Sequence, residues 1–312
     1  MITLSAVYVL AGLMFAVVAI ASLSDRANPR RWTTALFWAG LALSFLAGDQ
    51  LGDLGNGLLV IVLVLIAGGG GLRAGRPTTT APAARSESAR RFGNALFLPA
   101  LIIPAAALLG TLLLKGSGWV DPKQVTLISL GLGVLLALLV AVLWLRPPTA
   151  APVQEARRLL DSIGWVAILP QMLAALGAVF ALSGVGDVVG RLITDYVPLT
   201  TPFAAVAAFA FGMALFTLVM GNAFAAFPVM MAAIGLPIVV QQFGGQVAVV
   251  AAIGMLSGFC GTLLTPMAAN FNILPVALLE LSDRNAVIKA QAPTALIMLA
   301  ANIALMYFLA FR

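Results

Sequence analysis

The stretch that decides the fold reads GFCGTLLTPMAANFNILP and spans residues 258–275. It carries no charge and follows an apolar run, yet Gly258, Gly261 and Pro266 oppose a continuous helix. Four small polar side chains lie within it, namely Thr262, Thr265, Asn270 and Asn272. Unwound backbone at membrane depth is tolerated only where it is buried in protein or lines a cavity. The stretch therefore predicts a broken helix, over residues 247–282, within a membrane protein.

A second interruption precedes the first. Residues 203–240 are uncharged and mostly apolar, with Gly221-Asn222-Ala223 near the middle. A single helix of that length would measure about 57 Å, nearly twice the thickness of a bilayer's hydrocarbon core. The chain must therefore turn near Gly221. Residues 203–240 are predicted to form a re-entrant hairpin, and two full spans remain the alternative.

The composition extends this interpretation to the whole chain. Of 312 residues, 62% are hydrophobic and only 9% are charged, and the mean hydropathy is +1.08. Soluble domains carry roughly 25% charged residues. The apolar residues fall into runs of about 20, without the alternation of strands. The sequence predicts an all-α membrane protein with about nine or ten apolar helical segments, including the hairpin and the broken helix in the C-terminal third.

Residue types that are rare or absent exclude much enzyme chemistry. The chain has no His and a single cysteine, Cys260, which removes His-based nucleophile systems and His-ligated metals. Gly184-Val185-Gly186-Asp187 fits the Gly-x-Gly-Asp pattern of intramembrane aspartyl proteases, but the nearest second carboxylate, Asp195, lies in a polar segment. We therefore expect no enzyme activity, no catalytic residue, no metal site and no organic cofactor.

The apolar runs and the loops between them predict five regions. They are three leading helices (1–72), a polar cytoplasmic linker (73–92), three further transmembrane helices (93–185), an interfacial helix (186–202) and a transport core (203–312). Within the core, the last helix is expected at 292–311. The first apolar run lacks a basic leader and is longer than the apolar region of a signal peptide, so it is expected to be a retained span.

Basic residues alternate between the connections of the leading helices. The connections 24–32, 73–91 and 146–161 hold eleven Arg, whereas 48–56 and 115–124 hold two Lys. By the positive-inside rule, the Arg-rich connections are cytoplasmic and the N-terminus is outside. The net charge of +6 is thus an orientation signal, and the expected partner is the lipid bilayer, with no nucleic acid. The expected location is the bacterial inner membrane, as a multi-pass protein.

The two interruptions together resemble a known arrangement. Gly221-Asn222-Ala223 with Phe227-Pro228, followed by Gly-x-x-Gly-Thr-x-x-Thr-Pro-x-x-x-Asn-x-Asn from Gly258, resembles the ion-transporter superfamily of secondary carriers. In its dicarboxylate members, a hairpin tip with a Ser-Asn-Thr motif and a broken helix form the sodium and carboxylate site. This resemblance covers about residues 203–312.

A closer resemblance covers most of the chain. The runs 221–237 and 258–275, with Leu281-Ser282-Asp283-Arg284-Asn285 after them, look like a bacterial membrane family labelled as a domain of unknown function. Its members are described as subunits of a 5-oxoproline (pyroglutamate) transporter. The resemblance implies a subunit of a secondary active transporter for a small organic anion. The alternatives are a non-transporting scaffold or regulatory subunit of another carrier, and a channel.

Carried over by position, the superfamily resemblance implies a site for substrate and ion. Its residues are Gly221, Asn222, Ala223, Gly261, Thr262, Thr265, Pro266, Asn270 and Asn272. Gly221 and Ala223 replace the Ser and Thr of the superfamily motif, so the coupling ion, sodium or proton, is left open. Only one hairpin and one broken helix are evident, which implies a second membrane subunit or a homo-oligomer. Gly93-Asn94-Ala95 echoes the tip motif, but helix capping explains it more simply.

Two pairs of charged residues are further candidates. Asp49 and Asp53, four residues apart, could hold a cation, although acidic residues of an external loop are usually solvated. Arg284 and Lys289 follow the broken helix and could attract a carboxylate, although an orientation signal is the simpler interpretation.

Overall fold

Runs of about 20 apolar residues can satisfy their backbone groups in lipid only as helices, and the chain folds accordingly. The computed structural model describes residues 1–75, 80–196, 198–279 and 281–312. Residues 76–79, 197 and 280 lie outside the described residues, and with them those parts of the predicted linker, interfacial helix and broken helix. The described residues contain helices and a single isolated β-bridge between Ile2 and Val120, with no strand.

Thirteen α-helices and three other helical segments are described. The first part of the chain contains α1 (Leu4–Leu23), α2 (Arg31–Gly68), α3 (Pro82–Phe92), α4 (Leu98–Leu114), α5 (Val125–Leu145) and α6 (Ala151–Ile163). They are followed by α7 (Leu169–Leu182), α8 (Val185–Tyr196), α9 (Pro202–Met220), α10 (Ala223–Met230), α11 (Val247–Leu263), α12 (Ala269–Leu278) and α13 (Ala286–Ala310). Gly93–Phe97 and Gly164–Ile168 are 3-10 helices, and Met231–Gln242 is a π-helix that continues α10.

Eight helical stretches of the described chain are long and apolar enough to cross a membrane, and α11 is a shorter apolar helix. The predicted all-α membrane fold is thus confirmed. Contacts divide the chain into two compact units, Met1–Trp165 (unit 1) and Val166–Arg312 (unit 2).

Helix α2 is folded back on itself rather than straight. Its backbone leaves helical geometry at Ala47 and at Gly52, which has φ +63°. A methyl group added to Gly40 would lie only 2.8 Å from Leu63 Cδ2, so the two arms of α2 pack side by side. Asn56 closes the bend, since its Nδ2 donates to two carbonyl groups of the bend at 2.7 and 2.9 Å. The 38 residues of α2 therefore supply two membrane-length arms, joined at an Asn-capped bend.

The Arg-rich connections meet at one end of unit 1. Arg157 of α6 donates to Asp25 of the α1–α2 connection at 2.5 Å, and Gly75 at the start of the linker lies against the same pair. At the other end of α1, Ile2 makes two backbone hydrogen bonds, of 2.6 and 3.1 Å, with the α4–α5 connection. Arg-rich and Arg-poor connections therefore lie at opposite ends of unit 1, as an alternating topology requires.

This arrangement supports a test of the predicted orientation. Residues 77–90 are expected to be cytoplasmic, and Ser86 and Ser88 lie exposed on α3 within the described part of that stretch. In a Cys260→Ala background, cysteines at Ser86 or Ser88 should resist a membrane-impermeant thiol reagent in intact cells. A cysteine at Ser117, in the α4–α5 connection, should react under the same conditions. The opposite labelling pattern would reverse the orientation.

The core of unit 2 forms around α9, the π-helix, α11 and α13. Phe209 of α9 is fully buried, and methyl groups on Gly235 and Gly254 would lie 3.0 and 2.5 Å from its ring. These glycines let the π-helix and α11 close over the ring. The most apolar window of α10 and the π-helix is 61% buried, against 6% for α2. The α10–π stretch is thus packed largely against protein, whereas the most apolar part of α2 is largely exposed.

The same short series of elements, a helix, a glycine turn and a second helix, occurs twice along the chain. Helices α3 and α6 each have Pro in the first turn and end at a glycine of positive φ, Gly93 (+51°) and Gly164 (+54°). A 3-10 turn then leads into α4 and α7, each with Pro at its first turn, Pro99 and Pro170. The shared signal is Gly-x-x-x-Phe/Ile-Leu-Pro at 93–99 and 164–170. Gly93-Asn94-Ala95 therefore corresponds to the Gly164 turn, not to the turn at Gly221.

Candidate functional site

The turn between α9 and α10 is built by a glycine and an asparagine. Gly221 ends α9 with φ +75°, a conformation that favours glycine, and its N–H donates to the Thr217 carbonyl at 2.6 Å. Asn222 is extended, and its Oδ1 caps α10 by accepting from the Phe224 N–H at 2.7 Å. The helices on either side have 19 and 20 residues, and each has the length and composition of a full span.

The break between α11 and α12 follows from Pro266. In a continuous helix the Thr262 carbonyl would accept from residue 266, but Pro266 has no N–H. The buried amide of Asn272 supplies the missing donor: its Nδ2 donates to the carbonyl oxygens of Thr262 at 2.8 Å and Thr265 at 2.7 Å. Asn272 therefore holds the break in shape. Helix α12, about 15 Å long, is too short to cross a membrane alone.

The hydroxyl groups of the break are also engaged locally. Thr262 Oγ1 donates to the Phe259 carbonyl at 2.6 Å, and Thr265 Oγ1 accepts from the Met267 N–H at 3.2 Å. Both threonines are nearly fully buried. Like Asn272, they satisfy the backbone around the break, so their roles are structural.

The two interruptions meet in the structure. A methyl group added to Gly221 would lie 2.5 Å from the Met267 carbonyl oxygen and 2.6 Å from its carbonyl carbon. Only glycine lets the turn approach the break so closely. Helices α9 and α11 are equally close, because a methyl group on Gly261 would overlap the Ala214 carbonyl. Site residues predicted from two separate stretches therefore lie together in unit 2.

Helix ends determine the electrostatics around the contact between Gly221 and Met267. None of the nine predicted site residues is charged. Helices α10 and α12 begin on either side of the Gly221–Met267 contact, and α9 and α11 end there. Helix N-termini carry partial positive charge and unpaired N–H groups, and C-termini carry partial negative charge and unpaired carbonyl groups. The arrangement can bind an anion through N–H groups and a cation through carbonyl oxygens.

Asn270 is the predicted side chain that is best placed to reach a ligand. It is exposed on the first turn of α12, and its amide has no hydrogen-bond partner within the described chain. Pro266 is also exposed and Asn222 is half-buried, whereas Ala223 and Gly261 are buried. Ala223 and Gly261 allow close packing, and contact with a ligand falls to Asn270, Asn222 and the backbone.

Thr217 is a polar residue beside the turn that the sequence analysis did not single out. Its side chain is completely buried, and its Oγ1 has no hydrogen-bond partner within the described residues. A methyl group added to Gly258 would lie 3.3 Å from Thr217 Oγ1 and 3.0 Å from Ala223 Cβ. The sequence feature that could have identified Thr217 is its position one helical turn before Gly221 in an otherwise apolar run.

The other acidic candidates lie outside this site. Asp49 and Asp53 are both exposed near the bend of α2. Asp187 and Asp195 lie at opposite ends of α8, about 12 Å apart along the axis, too far to share a proton. No group of three or more His, Cys, Asp or Glu among the described residues could hold a metal.

The basic residues after the break are solvent-exposed. Lys289 Nζ donates to Asp283 Oδ2 at 2.8 Å, and this ammonium holds the pKa of that carboxyl below its usual range. The side chains are 70% and 46% exposed, so the pair contributes little to stability. Lys289 is thus engaged by a neighbouring carboxylate, and Arg284 is exposed beside it.

A separate cavity of about 350 Å³ lies between α8 and the π-helix. Glycines permit the close approach of these helices, since a methyl group on Gly190 would lie 2.9 Å from the Ala233 carbonyl oxygen. The cavity is lined by Gly186, Asp187, Gly190, Arg191, Ala232, Ala233, Pro237 and Ile238. The sequence analysis interpreted α8 only as an interfacial helix and did not identify this cavity.

Comparison with known proteins identifies a family without assigning an activity. A family profile described as "Protein of unknown function (DUF979)" matches residues 5–311. No curated protein and no solved structure is significantly similar to the chain. The match covers nearly the whole chain, including both units and the site described above.

Proposed function

The chain belongs to the DUF979 family, and on that premise we propose that it is a subunit of a secondary active transporter for a small organic anion. The observation that carries the proposal is the contact between Gly221 and the Met267 backbone, which brings two helix breaks together. Paired breaks of this kind, with helix ends directed at a substrate, are typical of secondary transporters.

An anion is favoured by the groups that remain available. The N-termini of α10 and α12 offer N–H groups and partial positive charge, which stabilise a carboxylate. The amide of Asn270 has both donors and an acceptor. By contrast, Thr262, Thr265 and Asn272 are engaged by the backbone of the break. We propose that the helix N-termini and Asn270 bind the substrate. Thr262, Thr265 and Asn272 hold these groups in place.

The proposed substrate is 5-oxoproline, on the basis of the sequence resemblance. Its carboxylate would bind at the helix N-termini, and its lactam N–H and C=O would pair with a backbone carbonyl and the Asn270 amide. Because the turn and the break are locked together at Gly221, we expect them to move as one body during alternating access. Sodium and proton both remain open as the coupling ion, and no enzymatic step is proposed.

Replacing Asn270 with alanine tests the site. The Asn270 amide is proposed to pair with the neutral lactam, and a neutral hydrogen bond contributes roughly 0.5–1.5 kcal/mol, so uptake of 5-oxoproline should fall by about two- to tenfold. The amide is exposed, so expression and thermal stability should be unchanged. Asn94→Ala, at another exposed asparagine, is the matched control and should transport normally. Normal uptake by the Asn270→Ala variant would favour a scaffold subunit over a transporting one.

We further propose that the chain requires a second membrane subunit. One turn–break pair is half of the arrangement implied by the superfamily resemblance, and Gly93-Asn94-Ala95 follows a different chain path. Purified alone in liposomes, the protein should show no uptake, and co-purification with a neighbouring membrane gene product should restore it. Uptake by a demonstrated monomer would contradict this proposal and leave the anion site intact.

A further inference from the structure

A pair of aromatic rings joins the ends of α3 and α5 in unit 1. The ring centroids of Phe92 and Trp144 lie 5.3 Å apart and the ring planes meet at 70°, an edge-to-face arrangement that aromatic side chains favour. Phe92 is the last residue of α3, and Trp144 lies in the last turn of α5. Both side chains are half-buried. The polar helix α3 is therefore held by its C-terminal end against the end of an apolar helix.

The length of α5 places this aromatic pair at the membrane surface. Helix α5 has 21 residues and is therefore about 31 Å long, which matches a hydrocarbon core of about 30 Å. Tryptophan is enriched at the level of the lipid headgroups. On the membrane side of the pair, Leu101 of α4 and Leu139 of α5 are exposed. The pair therefore lies between an apolar surface and the headgroup region.

Three arginines flank the aromatic pair. Arg90 and Arg91 directly precede Phe92, and Arg146 follows Trp144 by two residues. All three are exposed, and the guanidinium carbon of Arg91 lies 5.1 Å from the centroid of the Phe92 ring. These five residues are called the arginine–aromatic patch below. None of the nine residues proposed for transport belongs to it.

The arginines of the patch have no carboxylate partner in the part of the chain that the structure describes. Glu87 lies one turn earlier on α3 and is exposed, but it forms no ion pair with Arg90 or Arg91 among the described residues. Three positive charges therefore lie beside one negative charge. The patch has an excess of positive charge where the lipid headgroups begin.

The two arginines of α6 differ from those of the patch. Arg157 donates to Asp25 at 2.5 Å and lies 3.6 Å from Asp161. Arg158 Nε donates to Glu155 Oε2 at 2.7 Å. Carboxylates of the chain engage both of these guanidinium groups. Arg158, which is partly exposed, is therefore a suitable comparison for the arginines of the patch.

The backbone of Arg146 adopts a conformation that favours glycine. Its φ is +47° and its ψ is +53°, and it is the one non-glycine residue of positive φ among the described residues. Its N–H donates to the Val142 carbonyl at 3.0 Å and thereby ends α5. Helices commonly end in this way at a glycine, because a side chain is strained there. An arginine at this position costs stability and supplies a guanidinium beside the aromatic pair.

We propose that the arginine–aromatic patch binds the headgroup of an anionic phospholipid. A guanidinium donates two parallel hydrogen bonds to a phosphate, and basic clusters beside membrane helices attract anionic headgroups. The phosphodiester of a lipid lies at the depth of the patch, and its acyl chains would lie along the exposed leucines of α4 and α5. A soluble phosphate could use the arginines but not the apolar surface. The position of the patch therefore favours a lipid.

Trp144 can report on this binding. Changing the other four tryptophans of the chain to phenylalanine leaves Trp144 as the only emitter. The full-length chain is reconstituted in phosphatidylcholine nanodiscs that contain a minor fraction of a brominated lipid, which quenches indole emission on contact. Brominated phosphatidylglycerol should quench Trp144 more strongly than the same fraction of brominated phosphatidylcholine. Sodium chloride should reduce this preference, because salt screens the attraction.

Three variants locate the preference at the patch. Arg146→Gly removes a guanidinium where glycine adopts the backbone conformation freely, so the fold is kept and the preference should fall about fivefold. Arg91→Gln should have a similar effect. Arg158→Gln, at the guanidinium engaged by Glu155, should leave the preference unchanged. In the chain with all its tryptophans, native mass spectrometry should count one anionic phospholipid fewer on the Arg91→Gln, Arg146→Gly double variant than on the parent.

Other results would overturn the proposal. Equal quenching by the two brominated lipids, or an equal loss of preference in the Arg158→Gln variant, would leave only a general attraction of basic residues to anionic lipid. Loss of the preference with sodium phosphate, but not with sodium chloride of equal ionic strength, would assign the patch to a soluble anion.

Discussion

Replacing Gly221 with alanine should abolish uptake and lower thermal stability. The new methyl group would lie 2.5 Å from the Met267 carbonyl oxygen, and φ at this residue is +75°. The overlap is with backbone, which cannot rotate away as a side chain can. The turn must therefore move off the break, and the anion site proposed between them is lost. Uptake in membranes and the melting temperature of the purified protein measure the two effects.

Gly244 provides a matched control. It has the same φ of +75°, but nothing lies within 4 Å of the position that a methyl group would take. Gly244→Ala therefore carries only the conformational cost of a left-handed alanine, about 1 kcal/mol. It should keep transport and lose little stability. Equal effects of the two substitutions would mean that the Gly221–Met267 contact is not required for function.

Replacing Asn272 with alanine should have the largest effect on stability. The carbonyl groups of Thr262 and Thr265 would lose their side-chain donor in a buried place, and each unsatisfied group costs about 1–3 kcal/mol. We expect the free energy of unfolding to fall by about 3 kcal/mol. Asn272→Asp should be similarly damaging, since it keeps the shape but removes both donors.

Substitution of Gln291 is a control that distinguishes the donor role of Asn272 from general packing. Its Nε2 contacts Asn272 Oδ1 at 3.4 Å, a long hydrogen bond that should contribute little. Gln291→Ala should therefore leave the melting temperature nearly unchanged. If Asn272→Ala were as stable as Gln291→Ala, the break would not depend on the Asn272 donors.

The local features of the fold could be predicted from residue types. Glycine and asparagine at 221–222 predicted a turn, and the glycines with Pro266 predicted a broken helix, because these residues act on their own backbone. The position of Gly221 against Met267 was implied only by resemblance, since no local rule brings together residues 46 positions apart. Likewise, the division of roles between Asn270 and Asn272 depends on which of them faces the carbonyl groups freed by Pro266.

Contacts between distant charges were also beyond the sequence pattern. Arg157 was counted among the basic residues that orient the chain, and Asp25 and Asp161 were not singled out. Asp25 and Arg157 are 132 positions apart, and their pairing depends on how α1 and α6 pack. The bend of α2 was partly predictable, because a polar connection with two acidic residues separated the two apolar runs at that point.

The α9–α10 turn and the α11–α12 break are proposed to form one site for a small organic anion. Met267 lies at their contact, and its side chain is 62% exposed. We would measure the rate of thiol labelling at Met267→Cys in a Cys260→Ala background, in the solubilised protein with the proposed partner subunit. We expect 5-oxoproline to slow labelling at this position and not at a control cysteine at Ser117. An unchanged rate with 5-oxoproline and with a panel of small mono- and dicarboxylates would contradict it.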